Sequence, residues 1–192
     1  MVELKNSSEK TSLRKLLLEK RDRTSFDFMK IASKSILKKL KKIESFRNAQ
    51  KIGAYYPIGS EVPTQDIIQE ALSEGKEIFL PKVIGKNIEF RKIEGFDDLE
   101  NGSFDIMEPR NECLADNNLD VILVPTVGIS PNGVRLGYGQ GFYDRFLSEN
   151  KIETISLTLE KQIVKNIPRS DHDVIIDWIV TEDRVIETSK IR

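Results

Sequence analysis

Apolar residues recur at helical spacing in the part of the chain before Lys51. The leucines of SLRKLLLEK fall on one face of a helix that follows the serine pair of KNSSEK and continues to about Arg23. A second apolar stripe, from Met29 to Ile43, lies opposite a lysine-rich side and predicts a helix that begins near Ser25. The pattern therefore predicts two helices before the first strand.

From Lys51 onward the pattern changes to short runs rich in β-branched and aromatic residues. Six runs predict strands: KIGAYYP, EIFLPKV, IEFRKI, VILVP, ETISLTL and DWIVTE. Helices are predicted between them over 64–73, 141–148 and 161–166. Alternating strands and helices, with runs such as VILV that suit burial on both faces, predict a Rossmann-like, three-layer α/β/α fold with a largely parallel central sheet. Since no repeat or long linker divides the chain, we expect a single domain over residues 1–192.

The run GVRLGYGQG, residues 133–141, holds four of the chain's 11 glycines. It lies between the predicted strand VILVP and the predicted helix FYDRFL, at the carboxyl end of a strand, where α/β sheets bind ligands. Glycine backbone N–H groups, a helix start and the fork of Arg135 together suit a phosphate, and Asp144 could join it through Mg²⁺. The alternative is a long turn whose glycines supply positive φ angles, with Arg135 and Asp144 in a surface ion pair. The run matches neither GxxxxGK[ST] nor an orthodox GxGxxG, so its spacing leaves both interpretations open.

Charge and composition exclude several classes of protein. Thirty basic residues against 31 acidic ones give a net charge of −1, so no global field draws the chain to nucleic acid or anionic lipid. The start MVELKNSSEK lacks a signal-peptide core, and no stretch approaches the roughly 18 apolar residues of a membrane span. With one cysteine, Cys113, no internal disulfide is possible. We therefore expect a cytoplasmic enzyme or binding protein without nucleic-acid or membrane partners.

The stretch VPTVGISPNGVRLGYGQGFYDRFL resembles the signature of the 5-formyltetrahydrofolate cyclo-ligase family, also called methenyltetrahydrofolate synthetases. Five further segments resemble family elements in the same order: KTSLRKLLLEKR, YYPIGSEVPT, LPKV, GSFDIMEP and IPRSDHDVIIDWIVTE. The chain departs from the family pattern at residues 126–130, and it has Phe142 where a tyrosine is usual. Positions 138 and 140 carry Tyr and Gln where some relatives have basic residues. The resemblance thus covers nearly the whole chain.

The resemblance implies an enzyme that converts 5-formyltetrahydrofolate, with or without a polyglutamate tail, and MgATP to 5,10-methenyltetrahydrofolate, ADP and phosphate. The γ-phosphoryl group would pass to the formyl oxygen, and the folate N10 would then attack within the same molecule. Such chemistry needs positioning and charge neutralisation rather than a covalent nucleophile. The implied cofactors are ATP and Mg²⁺.

The resemblance also implies roles for individual residues. Arg135 would stabilise phosphate charge, Asp144 and Asp173 would hold the metal, and the neighbours Asp171 and Asp177 are alternatives to Asp173. The folate would contact Glu61, Tyr143 and Tyr56, with Tyr55 as an alternative ring partner. The ATP-binding set comprises Lys10, Arg14, Arg135, Leu136, Gly137, Tyr138, Gly139, Gln140, Gly141 and Tyr143.

Two other functions compete with this interpretation. A non-catalytic nucleotide- or folate-binding protein could keep the glycine loop and lose turnover through the departure at 126–130. Sugar-phosphate isomerases and CoA-transferases share broadly similar sheets, and fold does not fix function. Neither of these two enzyme classes explains the set formed by Lys10, Arg14, Arg135 and the paired aspartates.

Overall fold

The computed structural model describes residues 2–103 and 106–190, in which eleven strands and two further helices follow the three helices that end at Asn48. In chain order the elements are α1 (Val2–Asp22), α2 (Phe26–Leu40), α3 (Glu44–Asn48), β1 (Lys51–Gly53), α4 (Gln65–Ser73), β2 (Glu77–Ile84), β3 (Asn87–Ile93), β4 (Leu99–Asn101), β5 (Met107–Pro109), β6 (Val121–Val124), β7 (Gly128–Ile129), β8 (Arg135–Leu136), α5 (Phe142–Glu149), β9 (Glu153–Leu157), β10 (Trp178–Val180) and β11 (Val185–Glu187).

The central sheet has seven strands in the order β11-β10-β9-β6-β1-β2-β3. The five inner strands run parallel to one another. The two edge strands, β3 and β11, are antiparallel to the inner strands that they pair with. The turn at Gly85 and Lys86 joins β2 to β3, and so short a connection permits only an antiparallel pair. The predicted α/β fold with a largely parallel sheet is confirmed.

The strand β6 shows how the sheet separates two layers of helices. Val121 and Leu123 pack in a cluster with residues of α2, α3 and α4. Ile122 and Val124 point to the opposite face, where the cluster includes Phe146 of α5. Because successive side chains of a strand alternate between faces, a strand apolar at every position is buried on both sides. The three layers follow directly from the VILV pattern.

Helix α1 lies beside the hairpin formed by β7 and β8. Leu17 of α1 is buried with Val127, Val134 and Leu136 in a third apolar cluster. The amino-terminal helix therefore packs on the segment that leaves the central strand β6.

The region before β1 differs from its predicted pattern in two ways. Helix α1 begins at Val2, so the predicted capping serines lie inside the helix, where the Thr11 hydroxyl donates to the Ser7 carbonyl at 2.9 Å. The short helix α3, which buries Phe46, was not predicted, and three helices rather than two precede β1 in the described residues. A helix of 5 residues is too short for its spacing to show a period.

Other differences also concern short elements. The small sheets β4–β5 and β7–β8 and the edge strand β11 were not predicted, and β1 stops at Gly53, before AYYP. The helix predicted over 161–166 is only a 3-10 turn, Glu160–Gln162. The chain is extended directly after it because Ile163 forms a β-bridge with Ile129. None of the described helices is both long enough and apolar enough to cross a membrane.

Candidate active site

A cleft of about 720 Å³ opens where β1 and β6 end. Residues 55–61 follow β1, Pro125 follows β6, and α1, α5 and the segment around Ser170 complete the walls. The structure brings together in this cleft every predicted site residue: Lys10, Arg14, Tyr56, Glu61, Arg135, Leu136, Gly137, Tyr138, Gly139, Gln140, Gly141, Tyr143, Asp144 and Asp173.

The glycine loop leaves β8 and reaches α5 along a path that L side chains rarely follow. Gly139 and Gly141 have φ values of +98° and +69°, in the left-handed region that favours glycine. Gly141 is the residue directly before α5. A Cβ on Gly139 would lie 3.4 Å from the Arg14 guanidinium. The loop thus combines unusual backbone angles with close approach by a cation.

Arg135 stands in the wall between the glycine loop and α5. Its Nη2 donates to Asp144 Oδ2 at 2.9 Å, and its Nη1 donates to the Pro125 carbonyl at 3.3 Å. Its buried Nε has no hydrogen-bond partner among the described residues. The guanidinium lies over the Tyr143 ring at 5.6 Å. The ion pair considered from sequence does form, but the Arg135 side chain is only 4% exposed, so it is not a surface pair.

Lys10 and Arg14 project from the same face of α1 toward different parts of the cleft. Lys10 Nζ lies 2.5 Å from Asp173 Oδ2 and donates to Ser170 Oγ at 3.3 Å. Arg14 Nε donates to the Gly137 carbonyl at 2.7 Å. Burial lowers the pKa of Arg14 from its ordinary value, because desolvation disfavours the charged guanidinium. With Arg135, these side chains form a cluster of cations around the glycine loop.

The two predicted metal carboxylates lie on neighbouring segments. Asp144 Oδ1 accepts the Val174 N–H at 3.3 Å, and Asp173 Oδ2 accepts the Ser170 N–H at 2.7 Å. Of the two alternatives, Asp177 accepts from Thr154 Oγ1 at 2.8 Å, Asp171 is exposed, and neither lines the cleft.

The same carboxylates indicate how a cation could be held. Among the residues described, no group of three or more histidine, cysteine, aspartate or glutamate side chains forms a metal site. Two carboxylates beside cations fit a magnesium ion that arrives with phosphate oxygens, since Mg²⁺ usually binds one or two carboxylates together with substrate phosphates.

The other end of the cleft presents a buried carboxylate. Glu61 Oε2 accepts the Ile58 N–H at 2.8 Å, while Oε1 is buried and has no hydrogen-bond partner among the described residues. Burial raises the pKa of Glu61 above its ordinary 4.5, and the Ile58 N–H, the Arg21 charge and the Tyr138 hydroxyl act in the opposite direction. An unpartnered carboxylate oxygen at a cleft is an acceptor suited to N–H donors of a ligand.

Three tyrosines surround this carboxylate in different ways. Tyr56 is half-buried in the cleft and meets Phe96 edge-on at 5.9 Å. Tyr55 is buried, and its hydroxyl donates to the Val62 carbonyl at 3.0 Å, which commits it to the core. Burial raises the pKa of Tyr143, whose hydroxyl has no hydrogen-bond partner in the described part of the chain. Both Tyr55 and Tyr56 line the cleft, but Tyr55 is buried whereas Tyr56 is partly exposed, which favours Tyr56 as the ring partner.

Comparison with known proteins decides the family. The sequence model of the 5-formyltetrahydrofolate cyclo-ligase family matches residues 6–182. The chain belongs to this family. A probable 5-formyltetrahydrofolate cyclo-ligase of Caenorhabditis elegans is 31% identical over 80% of this chain and 83% of its own, and the mouse 5-formyltetrahydrofolate cyclo-ligase is 30% identical over 72% and 76%. The solved structure of the Aquifex aeolicus 5,10-methenyltetrahydrofolate synthetase, at 34% identity, superimposes with a TM-score of 0.83 over 93% of this chain and 92% of that one.

Residues 126–130 form the buried floor behind the glycine loop. This is the segment in which the chain departs from the pattern of the cyclo-ligase family. Thr126 Oγ1 and Ser156 Oγ lie 2.6 Å apart, and a Cβ on Gly128 would collide with Leu17 of α1. The departure therefore lies in the support of the cleft, since residues 126–130 do not line it.

Sequence reasoning missed Glu108 and Ser170, which line the cleft of this cyclo-ligase family member, and Arg21, which lies behind the cleft wall. Arg21 follows Arg14 by two helical turns, which was an available signal, because residues at that spacing share a helix face. Glu108 is buried, lines the cleft and belongs to the GSFDIMEP segment. Phe104 and Asp105 of that segment lie outside the described residues. Ser170 lines the cleft beside Lys10 and had no sequence signal of its own.

Proposed function

We propose that the protein converts 5-formyltetrahydrofolate, in its mono- or polyglutamate form, to 5,10-methenyltetrahydrofolate. ATP, bound together with Mg²⁺, is consumed, and ADP and phosphate are released. One observation carries the proposal. In a member of the cyclo-ligase family, a single cleft has a glycine loop surrounded by Lys10, Arg14 and Arg135 at one end. At the other end lies Glu61, whose Oε1 has no hydrogen-bond partner among the described residues.

The cationic end suits the triphosphate. Backbone N–H groups of residues 136–141 and the start of α5 provide donors for phosphate oxygens. Lys10 and Arg14 approach from α1, and Arg135 approaches from β8 with a buried Nε that has no partner among the described residues. Fixed donors in a site of low water content stabilise transferring charge far more strongly than donors in water.

Asp144 and Asp173 are the residues proposed to hold the metal. When bound, Mg²⁺ would neutralise phosphate charge. In the free protein Arg135 and Lys10 cover these two carboxylates, so their charge is balanced before the nucleotide arrives.

The opposite end suits the folate ring system. A pteridine presents adjacent N–H donors, and the Glu61 carboxylate can accept them. Tyr56 offers a ring face or edge at the cleft, and Tyr143 lies between Arg135 and this end. These contacts would orient the formyl oxygen toward the γ-phosphorus.

The proposed reaction then proceeds in two steps. The formyl oxygen attacks the γ-phosphorus, and the bond to the ADP oxygen breaks. N10 next attacks the activated formyl carbon and loses its proton, and the C–O bond breaks with release of phosphate. The protein's task is to hold the groups in line, spread the phosphate charge over Arg135 and its neighbours, and exclude water from the activated intermediate.

The proposal is tested by the absorbance of the methenyl product after the purified protein is mixed with 5-formyltetrahydrofolate, ATP and Mg²⁺. We expect a rise that requires ATP, and a loss of roughly a hundred-fold or more in Arg135→Ala because a preorganised donor to transferring charge is removed. Arg110→Ala, which removes an exposed arginine, is the matched control and should keep full activity.

Other outcomes would replace the proposal. ATP and folate binding without turnover would favour the non-catalytic binding protein. Absence of ATP binding would instead favour a reaction of the kind catalysed by sugar-phosphate isomerases or CoA-transferases, which have broadly similar sheets.

A further inference from the structure

Arg21 is a buried cation that the proposed chemistry does not use. It lies near the end of α1 and is only 2% exposed. All three of its nitrogens have partners: Nε donates to Ser60 Oγ at 2.9 Å, Nη1 to the Thr126 carbonyl at 3.3 Å, and Nη2 to the Tyr138 hydroxyl at 2.6 Å. The guanidinium therefore ties four separate chain segments together.

Two of these segments belong to opposite ends of the cleft. Ser60 directly precedes Glu61, the residue proposed to bind folate, and its hydroxyl also donates to the Asp22 carboxylate. Tyr138 lies within the glycine loop, between Gly137 and Gly139. Arg21 thus spans the distance between the proposed folate loop and the proposed nucleotide loop with direct hydrogen bonds.

The same network acts on the Glu61 carboxylate. The Arg21 charge and the Tyr138 hydroxyl both lower the pKa of Glu61, against the larger upward effect of burial. Tyr138 in turn has a pKa raised to about 12, first by burial and then by the Glu61 charge. The hydroxyl is therefore protonated while it accepts the hydrogen bond from Arg21.

A purely structural role does not explain this choice of residue. Burying a guanidinium carries a large desolvation penalty, and apolar residues of similar volume often stabilise a fold as well or better. What an arginine adds is a planar fork that can fix several acceptors at set directions. Its acceptors here include Ser60, which precedes the proposed folate contact Glu61, and Tyr138, which lies in the proposed nucleotide loop.

We propose that Arg21 is a positioning residue that couples the two ends of the cleft, so that MgATP on the glycine loop tightens binding of 5-formyltetrahydrofolate at Glu61. This inference rests on the proposed function. Phosphate seated on residues 137–141 fixes the loop and with it the Tyr138 hydroxyl. Arg21 then holds Ser60, and the adjacent Glu61 is kept oriented for the pteridine. By linkage, the folate must tighten nucleotide binding by the same factor.

The test is the ratio of folate dissociation constants measured without and with Mg²⁺ and a non-hydrolysable ATP analogue. Coupling between sites typically spans about 5-fold to 150-fold, and we expect the wild-type ratio within that range. Arg21→Lys keeps the charge but loses the fork, and it should bring the ratio to within about two-fold of unity. Arg23→Lys, at an exposed position two residues further on, is the matched control and should keep the wild-type ratio.

Tyr138→Phe provides a second, milder break in the same link, because it removes only the hydroxyl that joins Arg21 to the glycine loop. It should also lower the ratio, and it decides the matter if Arg21→Lys does not fold. A merely structural Arg21 would reduce the melting temperature, or weaken both ligands equally, and would leave the ratio unchanged. A wild-type ratio of one, or variants that keep the wild-type ratio, would overturn the coupling. Failure of ATP-dependent turnover in the wild type would instead count against the proposed function itself.

Discussion

Glu61 keeps a carboxylate in a place where burial favours the neutral acid. Only 4% of the residue is exposed, and one of its oxygens has no hydrogen-bond partner among the described residues. A protein selected for stability alone would not place an acceptor there, because an unsatisfied buried polar group is costly. The cost is removed when ligand N–H groups reach the oxygen, so the unsatisfied oxygen is itself an argument for a binding role.

Glu61→Gln should separate stability from binding. Since the folded-state pKa of Glu61 is raised, the folded protein binds the proton more tightly than the unfolded chain does. The contribution of Glu61 to the free energy of unfolding is therefore most favourable at pH values below its ordinary pKa of 4.5. It is lost as pH rises through the raised pKa of the folded state. We expect Glu61→Gln to gain about 1 kcal/mol in free energy of unfolding near pH 7, and the gain to shrink toward pH 5. Folate affinity should fall by about ten-fold or more.

Denaturant titrations at the two pH values and equilibrium folate binding check this expectation. Glu149→Gln, which removes a carboxylate at an exposed position outside the cleft, controls for the change in net charge. A stability difference that stays the same at both pH values would show that the Glu61 charge is not the cause.

The same residue marks the limit of what sequence could predict about the site. The resemblance placed Glu61, Arg135 and the paired aspartates in one site, and they do line one cleft. It did not indicate that Glu61 would be buried, nor that Arg21 would lie behind it. Burial depends on how α1 packs against distant loops, and no local spacing encodes that.

At the scale of elements, the glycine loop depends on backbone angles as much as on side chains. It must turn from β8 into α5 within residues 137–141, and Gly139 and Gly141 adopt left-handed conformations to do so. The Arg14 side chain fills the space beside Gly139. A side chain at position 139 would therefore disturb both the loop and the cation that faces it.

Gly139→Ala should weaken MgATP while leaving the fold intact. A left-handed conformation costs an L residue roughly 1–2 kcal/mol, and the added methyl group would contact the Arg14 guanidinium. We expect the Michaelis constant for ATP to rise about ten-fold. Gly75→Ala is the matched control, because Gly75 also has a positive φ, of +79°, but a Cβ there meets nothing within 4 Å and lies outside the cleft. Equal kinetic defects in the two variants would contradict the explanation.

The elements that sequence predicted correctly have either a clear period or a distinctive composition. The helices α2, α4 and α5 have apolar positions at helical spacing, and the central strands fall in runs rich in β-branched and aromatic residues. The hairpin β7–β8 and the edge strand β11 have 2 and 3 residues per strand, too few to show a repeat. The β7–β8 hairpin packs against Leu17 of α1, and β11 pairs with the open edge of β10. The contact with Leu17 joins segments that are distant in sequence, so no local pattern predicts it.

At the scale of the whole molecule, two ion pairs join separate segments of the chain at the cleft. Lys10 and Asp173 are separated by 163 positions, so their pair joins the first helix to a segment near the end of the chain. Arg135 and Asp144 join β8 to α5. In each pair a cation proposed for phosphate covers a carboxylate proposed for the metal. Binding of MgATP would therefore exchange partners, with phosphate taking the cations and Mg²⁺ taking the carboxylates.

Asp173→Asn should move the affinities for ATP and MgATP in opposite directions. Without Mg²⁺, the Asp173 carboxylate competes with phosphate for Lys10 and repels the nucleotide, so its neutralisation should tighten ATP binding by roughly three- to ten-fold. With Mg²⁺, a proposed metal ligand is lost, and affinity should fall by about ten-fold. Titration calorimetry with ATP in excess chelator and then in excess Mg²⁺ measures both. Asp171→Asn makes the same charge change at an exposed neighbour and should leave both affinities within about two-fold of wild type. If both affinities of Asp173→Asn fell together, Asp173 would be a structural partner of Lys10 and Ser170, and the exchange of partners would be ruled out.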